Sequence, residues 1–290
     1  MSAELAVADV TEVRLSARSL RGVRNWPWSL RVGVAIVAGY AIVAIFAPLI
    51  APFDPLHQNI PELLAKPSFS HLLGTDRLGR DVLSRLIYAS RYDLLLAVSG
   101  TLLSLLLGTL LGVVAGYFRG AADIVVSRII DLLLTIPIYP LLVLLLFVLG
   151  SGAASVIIAF AVTGWVSYAR LARSQVLVTR EQDFVAAAKL GGIGSARVMA
   201  RHILPNVTAQ LLVLWASDIV MAIGTIAALG YLGIGIQPPT PEWGVMVQDG
   251  QDFLLTNWWL SVAPGLVIAI LGIGLALISD SVVGTRRGRR

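Results

Sequence analysis

Residues that could do chemistry are few in this 290-residue chain, and their spacing defeats the usual assignments. Gly74 to Asp81, GTDRLGRD, has the G-x-x-x-x-G spacing of a phosphate-binding loop. Arg80 and Asp81 stand where Lys and Ser or Thr are needed to reach the phosphates and Mg2+, so nucleotide binding is not expected. His57, His71 and His202 form no i, i+4 pair and have no carboxylate cluster beside them suited to a metal. Cysteine is absent, which removes thiolate ligands and leaves the redox compartment unreadable. No Ser within an apolar run has a His in sequence reach. The chain is therefore expected to supply no catalytic group, metal or cofactor of its own. One acid stands out: Asp218 lies about 13 residues beyond Pro205, near mid-membrane at a rise of about 1.5 Å per residue. A carboxylate at that depth is costly and faces either a water-filled path or a partner. Two readings stay open: an acid lining a path, touching a cationic group of a solute, or a carboxyl bonded to a neighbouring helix.

The elements that must position these residues are apolar. Hydrophobic residues make up 57% of the chain and charged residues only 13%, against about 25% charged in ordinary soluble domains. With a mean hydropathy of +0.83 and several apolar runs of about 20 residues, an all-α polytopic membrane protein with six transmembrane helices is predicted. The spans are Leu30 to Ile50, Tyr92 to Phe118, Asp131 to Leu149, Ala153 to Ser174, Val207 to Tyr231 and Trp258 to Ile278. The chain divides into a polar tail (1–29), the first span (30–51), a polar segment (52–91), a five-helix core (92–280) and a basic tail (281–290). The first tail has no apolar h-region and reads as a tail, not a signal peptide. Pro48, Pro52 and Pro55 end the first span. Gly108, Gly112 and Gly116 recur every four residues and predict a smooth ridge for close helix packing. Pro137 and Pro140 predict a kink or local unwinding in the third span. Trp258 and Trp259 suit a membrane interface.

Charge sets the orientation. The formal charge is +5, and all but five of the 22 Lys and Arg fall in the two tails, between Arg119 and Arg128, or between Arg170 and Arg201. The five exceptions, Lys66, Arg77, Arg80, Arg85 and Arg91, lie in the 52–91 segment. Basic residues concentrate on the cytoplasmic side. Both termini and the 180–206 insert are therefore expected in the cytoplasm, with 52–91 and the loop Gln237 to Gly244 outside. That distribution explains the basic balance by topology, not by nucleic acid.

The insert, REQDFVAAAKLGGIGSARVMARHILPN from Arg180 to Asn206, is longer than a connection needs. Ala186, Ala187 and Ala188 favour helix, Gly192 permits a hinge, and Pro205 can open a following helix. Ala186-Ala187-Ala188, Gly192 and Leu204-Pro205 resemble the EAA loop of ABC importer permeases. The surrounding DFVAAAKLGG and RHILPN are similar to the dipeptide, oligopeptide and nickel branch of that family. HLLGTDRLGRDVLSR (His71 to Arg85) and QPPTPEWG (Gln237 to Gly244) match the same branch, and GTDRLGRD resembles its C-type subunit. The resemblance covers about residues 30 to 280. Two positions depart from it: the family's Glu at the head of the triplet is Ala186 here, and a Glu late in the fifth span is Ile226.

The resemblance implies a type I ABC importer permease (MetI-like) fold in a bacterial inner membrane, and a subunit that imports peptides while ATP is hydrolysed elsewhere. Its implied partners are a second related permease, two cytoplasmic ATP-binding domains carrying the ATP and Mg2+, an extracytoplasmic solute-binding protein and membrane lipid. Coupling to the ATPase is implied for Asp183, Ala186, Ala187, Ala188, Gly192, Arg201, Leu204 and Pro205. Without the family's Glu, coupling is expected to rest on shape and the Gly192 hinge. Gln237, Pro238, Pro239, Pro241 and Trp243 are expected to dock or gate beneath the binding protein, and Asp218 to line the path and meet a cationic group such as a peptide amine. Nickel chelates and glutathione are the alternative cargoes. The segment from His57 to Arg85 is a second docking candidate, with a periplasmic brace on the partner permease as the favoured reading. An ion-coupled secondary transporter would show inverted repeats, broken helices and several intramembrane charges, and a membrane enzyme would show a paired acid and base. The chain shows one central charge and no clear repeat.

Overall fold

The computed structural model describes residues 27–287. Four helices of the bundle run long: α3 (Val82–Phe118), α6 (Ala153–Thr179), α9 (Leu204–Tyr231) and α11 (Trp259–Arg287), with α1 (Trp28–Ile45) and the single turn α2 (Ala47–Ile50) packed alongside. Among the described residues five helical stretches are long and apolar enough to cross a membrane, and a sixth crossing is available if α4 (Gly120–Leu134) and α5 (Ile138–Leu149) count as one broken span. The arginines of the first tail (Arg14, Arg18, Arg21, Arg24), like Arg289 and Arg290, lie outside the described residues.

Several boundaries differ from the sequence expectation for definite reasons. α3 starts at Val82, ten residues early, because Asp81 caps it by accepting from the Ser84 N–H at 2.7 Å. At 37 residues it is roughly 55 Å long, well beyond a hydrocarbon core of about 30 Å. The link is helical from Gly120 onward, and the unwinding expected at Pro137 is a full break: α4 and α5 meet at 94°. Pro137 pushes the preceding residue out of helical geometry, and Pro140 then falls in the first turn of α5, where no N–H is missed. α11 continues past Ile278 to Arg287, into the expected tail.

The glycine ridge works as predicted. A Cβ on Gly108 would lie 2.3 Å from the Trp165 carbonyl oxygen, and one on Gly112 would lie 2.4 Å from that of Ala169. α3 and α6 therefore meet backbone to backbone, the contact that holds helices together where no hydrophobic force acts between them. Among the described residues three apolar cores lie along this seam: a small one around Val126, Ile130 and Trp165 against α4, and two larger ones. One, around Leu86, Leu96, Ile223, Trp243 and Leu271, fills the end of the bundle near residues 52–81. The other, around Tyr117, Tyr168, Val176, Val185 and Val207, fills the end that carries residues 180–206.

Candidate functional site

Residues 180–206 fold as a helix, a glycine corner and the start of α9. Helix α7 (Asp183–Leu190) buries Val185 and Ala188 in the second core and leaves Asp183, Phe184, Ala186, Ala187 and Leu190 exposed. Leu190 is 90% exposed at the tip. An apolar residue directly before a Gly pair is the sequence signal for such an exposed tip. Gly192 has φ +78°. Its N–H bonds to Lys189 O at 3.0 Å, and the Ile193 N–H bonds to Ala188 O at 3.2 Å, the two bonds of a Schellman stop. The expected hinge is thus a defined left-handed corner that turns the chain from α7 into the next helix.

Pro205 does not open a new helix. Helix runs from Ser195 to Tyr231 without a break in the span, through α8 (Ser195–Val198), a π-helical stretch Met199–Ile203, and α9. Proline inside a helix lacks a donor and crowds the preceding turn, and the wide π turn directly before Leu204-Pro205 accommodates it. Arg201 and Pro205 are exposed, Leu204 is half-buried, and Ala188 contributes packing, not surface.

The insert is fastened to the end of α3. The Arg180 guanidinium donates to the carbonyls of Gly116 and Tyr117, while its Nε donates to Glu181 Oε1 at 3.1 Å. Glu181 Oε1 also accepts from Arg119 Nη2 at 2.9 Å, and Lys189 Nζ sits 5.2 Å from the centre of the Tyr117 ring. Nearby, Arg173 of α6 forms a two-pronged pair with Asp123 of α4.

Asp218 is half-buried on α9. Its carboxyl lies beside the buried Tyr168 hydroxyl of α6. An apolar groove of about 980 Å3 runs between α1, α3, α9 and α11, lined on α9 by residues such as Leu212, Ala216, Ser217 and Val220. At about 100° per residue these fall on the opposite side of α9 from Asp218.

At the far end the loop candidates separate. Gln237, Pro238 and Pro239 are exposed, with Gln237 Nε2 donating to Gly233 O at 2.8 Å. Pro241 and Trp243 are not available for docking. Pro241 is buried, and Trp243 opens helix α10 (Trp243–Gly250) at 0% exposure. Glu242 caps that helix by accepting from the Gly244 and Val245 N–H groups, each at 2.7 Å. Burial pushes the Glu242 carboxyl up against the pull of those two N–H groups. The Trp243 N–H reaches Asp93 Oδ2 at 3.1 Å, its indole donates to Leu86 O at 3.2 Å, and Tyr40 packs edge-on. Such an anchor is a core feature that loop composition could not reveal.

The GTDRLGRD segment is likewise structural. Asp76 ties Arg80 at 2.7 Å and lies 3.5 Å from Arg85, Arg77 reaches Asp249 of α10 at 2.8 Å, and both Arg80 and Arg85 are almost wholly buried. His71 bridges Asp81 at 2.8 Å and Glu62 at 3.1 Å. Its hydrogen bond to Asp81 raises its pKa, helped by Glu62 and opposed by partial burial. These buried charges are all paired, as burial demands. The segment ties α3 to α10 within its own chain. Among the described residues no group of three or more His, Asp and Glu is placed to hold a metal.

Comparison with known proteins places this architecture. Residues 108–285 match the family described as binding-protein-dependent transport system inner membrane component. Residues 30–67 match the N-terminal TM domain of oligopeptide transport permease C. The di/tripeptide transport system permease protein DppC of Pseudomonas aeruginosa is 40% identical over 245 residues, 82% of this chain and 81% of the relative. The dipeptide transport system permease protein DppC of Escherichia coli K12 is 40% identical over 257 residues, 87% and 86% of the two chains. The nickel transport system permease protein NikC of Escherichia coli K12 is 37% identical over 255 residues, 88% and 92% of the two.

Proposed function

The chain belongs to the family of binding-protein-dependent transport system inner membrane components, and from that premise we propose that it is the C-type permease subunit of an ATP-driven peptide importer. The observation that carries the coupling role is the surface of α7, where Asp183, Phe184, Ala186, Ala187 and Leu190 stand clear of the bundle ahead of a fixed corner at Gly192. An exposed apolar tip on an otherwise packed helix fits a groove on a partner. The partner is an ATP-binding subunit, one of two, that holds ATP and Mg2+ and performs the hydrolysis. This chain is non-catalytic and forms half of the pathway with a second, related permease. Arg201, Leu204 and Pro205 support the corner from the α9 side.

The charge bias supports a cytoplasmic position for residues 180–206 and both termini. Gln237, Pro238 and Pro239 then face the solute-binding protein outside. Peptide cargo rests on the dipeptide and di/tripeptide permeases among the relatives, at 40% identity against 37% for the nickel permease. Asp218 is the candidate path acid, a carboxylate able to meet the ammonium group of a peptide.

The test is co-purification of the detergent-solubilised complex. Leu190→Asp is expected to release the ATPase subunits while the permease pair stays together. Full retention of the ATPase by Leu190→Asp, or uptake by the chain alone in liposomes driven by a proton gradient, would overturn the proposal.

A further inference from the structure

The sequence suggests that work applied to α7 enters α6 and α9, the two helices joined to it along the chain. The bundle offers another route. The carboxyl end of α3 leaves its last carbonyls without helical partners and carries the negative end of the helix dipole. Arg180 puts a cation on that end, donating to Gly116 O and Tyr117 O. Charge-assisted bonds of this kind are the strong ones. The grip is closed by Glu181, shared between Arg180 and Arg119, and by Lys189 of α7 over the Tyr117 ring.

The corner gripped in this way is itself a fixed one. Arg119 has φ +56° and Gly120 has φ +58°. A non-glycine residue in that region costs energy and persists only where its surroundings hold it. The Arg119 side chain is 50% exposed and Glu181 60%, so Arg180, at 19%, is the better shielded member. At its other end α3 is capped by Asp81 and joined through Arg85, Asp76, Arg77 and Asp249 to α10. One helix thus reaches from the insert to the far end of the bundle.

We propose that Arg180 is a positioning residue that locks the coupling segment to α3, so that α7 and α3 move as one body and α3 carries the movement to the 52–81 end. This rests on the transport reading above, because it needs an ATPase to supply the push.

The chain has no cysteine, which allows paired labelling. Spin labels at Gln182→Cys, the N-cap of α7, which makes no side-chain cap bond, and at Phe118→Cys, both exposed positions, report the separation of α7 and α3 in the complex with its ATPase subunits. In the otherwise unchanged protein, one narrow distance common to the nucleotide-free and ATP-trapped states is expected. Arg180→Ala should broaden that distribution and lower dialanine uptake per ATP hydrolysed by about tenfold, the scale of one charge-assisted hydrogen bond. ATPase retention should persist.

If Arg180→Ala fails to assemble, Glu181→Gln decides: it takes the carboxylate from both arginines and should broaden the distribution. A distance that changes between the two states without any further substitution overturns the inference. So does a distribution as narrow as the parent's in Arg180→Ala or, where that variant does not assemble, in Glu181→Gln. Absence of any ATPase from the parent complex would instead sink the transport reading, while the nucleotide-free distances would still test the lock.

Discussion

Substitutions at Gly192 separate the shape of the corner from its flexibility. The residue sits at φ +78° with nothing within 4 Å of an added Cβ, so alanine there meets no neighbour and bears only the backbone cost. That cost is roughly 1–2 kcal/mol for an L-residue in the left-handed region, which reduces the bent population by about 5- to 30-fold. Asparagine, which tolerates this region, should cost less. Proline cannot adopt the angle, because its ring holds φ near about −65°, and it also removes the N–H that bonds Lys189 O at 3.0 Å. The expected order of ATP-driven uptake in proteoliposomes is Gly, Asn, Ala, with Pro inactive, while the ATPase still binds Gly192→Pro at least in part. Gly194 provides the control: it has ordinary extended angles as the N-cap of α8 and open space around it, so Gly194→Ser should transport normally. An active Gly192→Pro protein would refute the requirement for this corner. Equal damage from alanine and proline would show that the penalty is not set by the backbone angle.

Gly112→Ala places a methyl 2.4 Å from the Ala169 carbonyl oxygen. It should part α3 from α6 and lower stability by about 1–3 kcal/mol, read as a fall in melting temperature of the purified protein. Gly39→Ala, which meets nothing within 4 Å, should not lower it. The raised His71 pKa gives a pH test outside the membrane spans. A folded-state value above the unfolded one, about 6.5, means stabilisation that is complete below that unfolded value and fades as pH rises through the folded value. The melting-temperature advantage of the parent over His71→Gln should therefore shrink from pH 6 towards pH 8.5, and a flat or growing difference would contradict the assignment. Asp218→Asn should reduce uptake of dialanine more than uptake of its N-acetylated form, measured side by side in proteoliposomes. Unchanged uptake and preference would remove Asp218 from the path.

The parts of the fold legible in the sequence are those governed by short spacing. Apolar runs of membrane length, the four-residue glycine ridge and the Ala-Gly-Pro pattern each act through neighbours within a turn or two, so their consequences could be read directly. Misread features depend on partners far along the chain. Trp243 looked like a loop aromatic, yet it is buried by Tyr40, Leu86 and Asp93, between 150 and 203 residues away. Arg80 and Arg85 are buried charges whose partners, Asp76 and Asp249, only the fold brings together. The clamp of Arg180 on α3 spans more than 60 residues and has no local signature.

The two ends of α3 explain why such long-range ties recur in a chain that otherwise relies on apolar contact. In lipid, helix association draws little from hydrophobic burial, and close packing along the glycine ridge must supply the attraction. A ridge of that kind resists separation of α3 from α6 but places little restraint on sliding along the seam. Directional bonds at the ends supply the missing restraint: Arg85 to Asp76 at one end, and the Gly116 and Tyr117 carbonyls held by Arg180 at the other. With sliding suppressed, a displacement of α7 has no soft mode in which to dissipate before it reaches Asp249. On this argument, weakening either end while sparing the ridge should leave the protein folded and uncouple it, whereas damage to the ridge should unfold it.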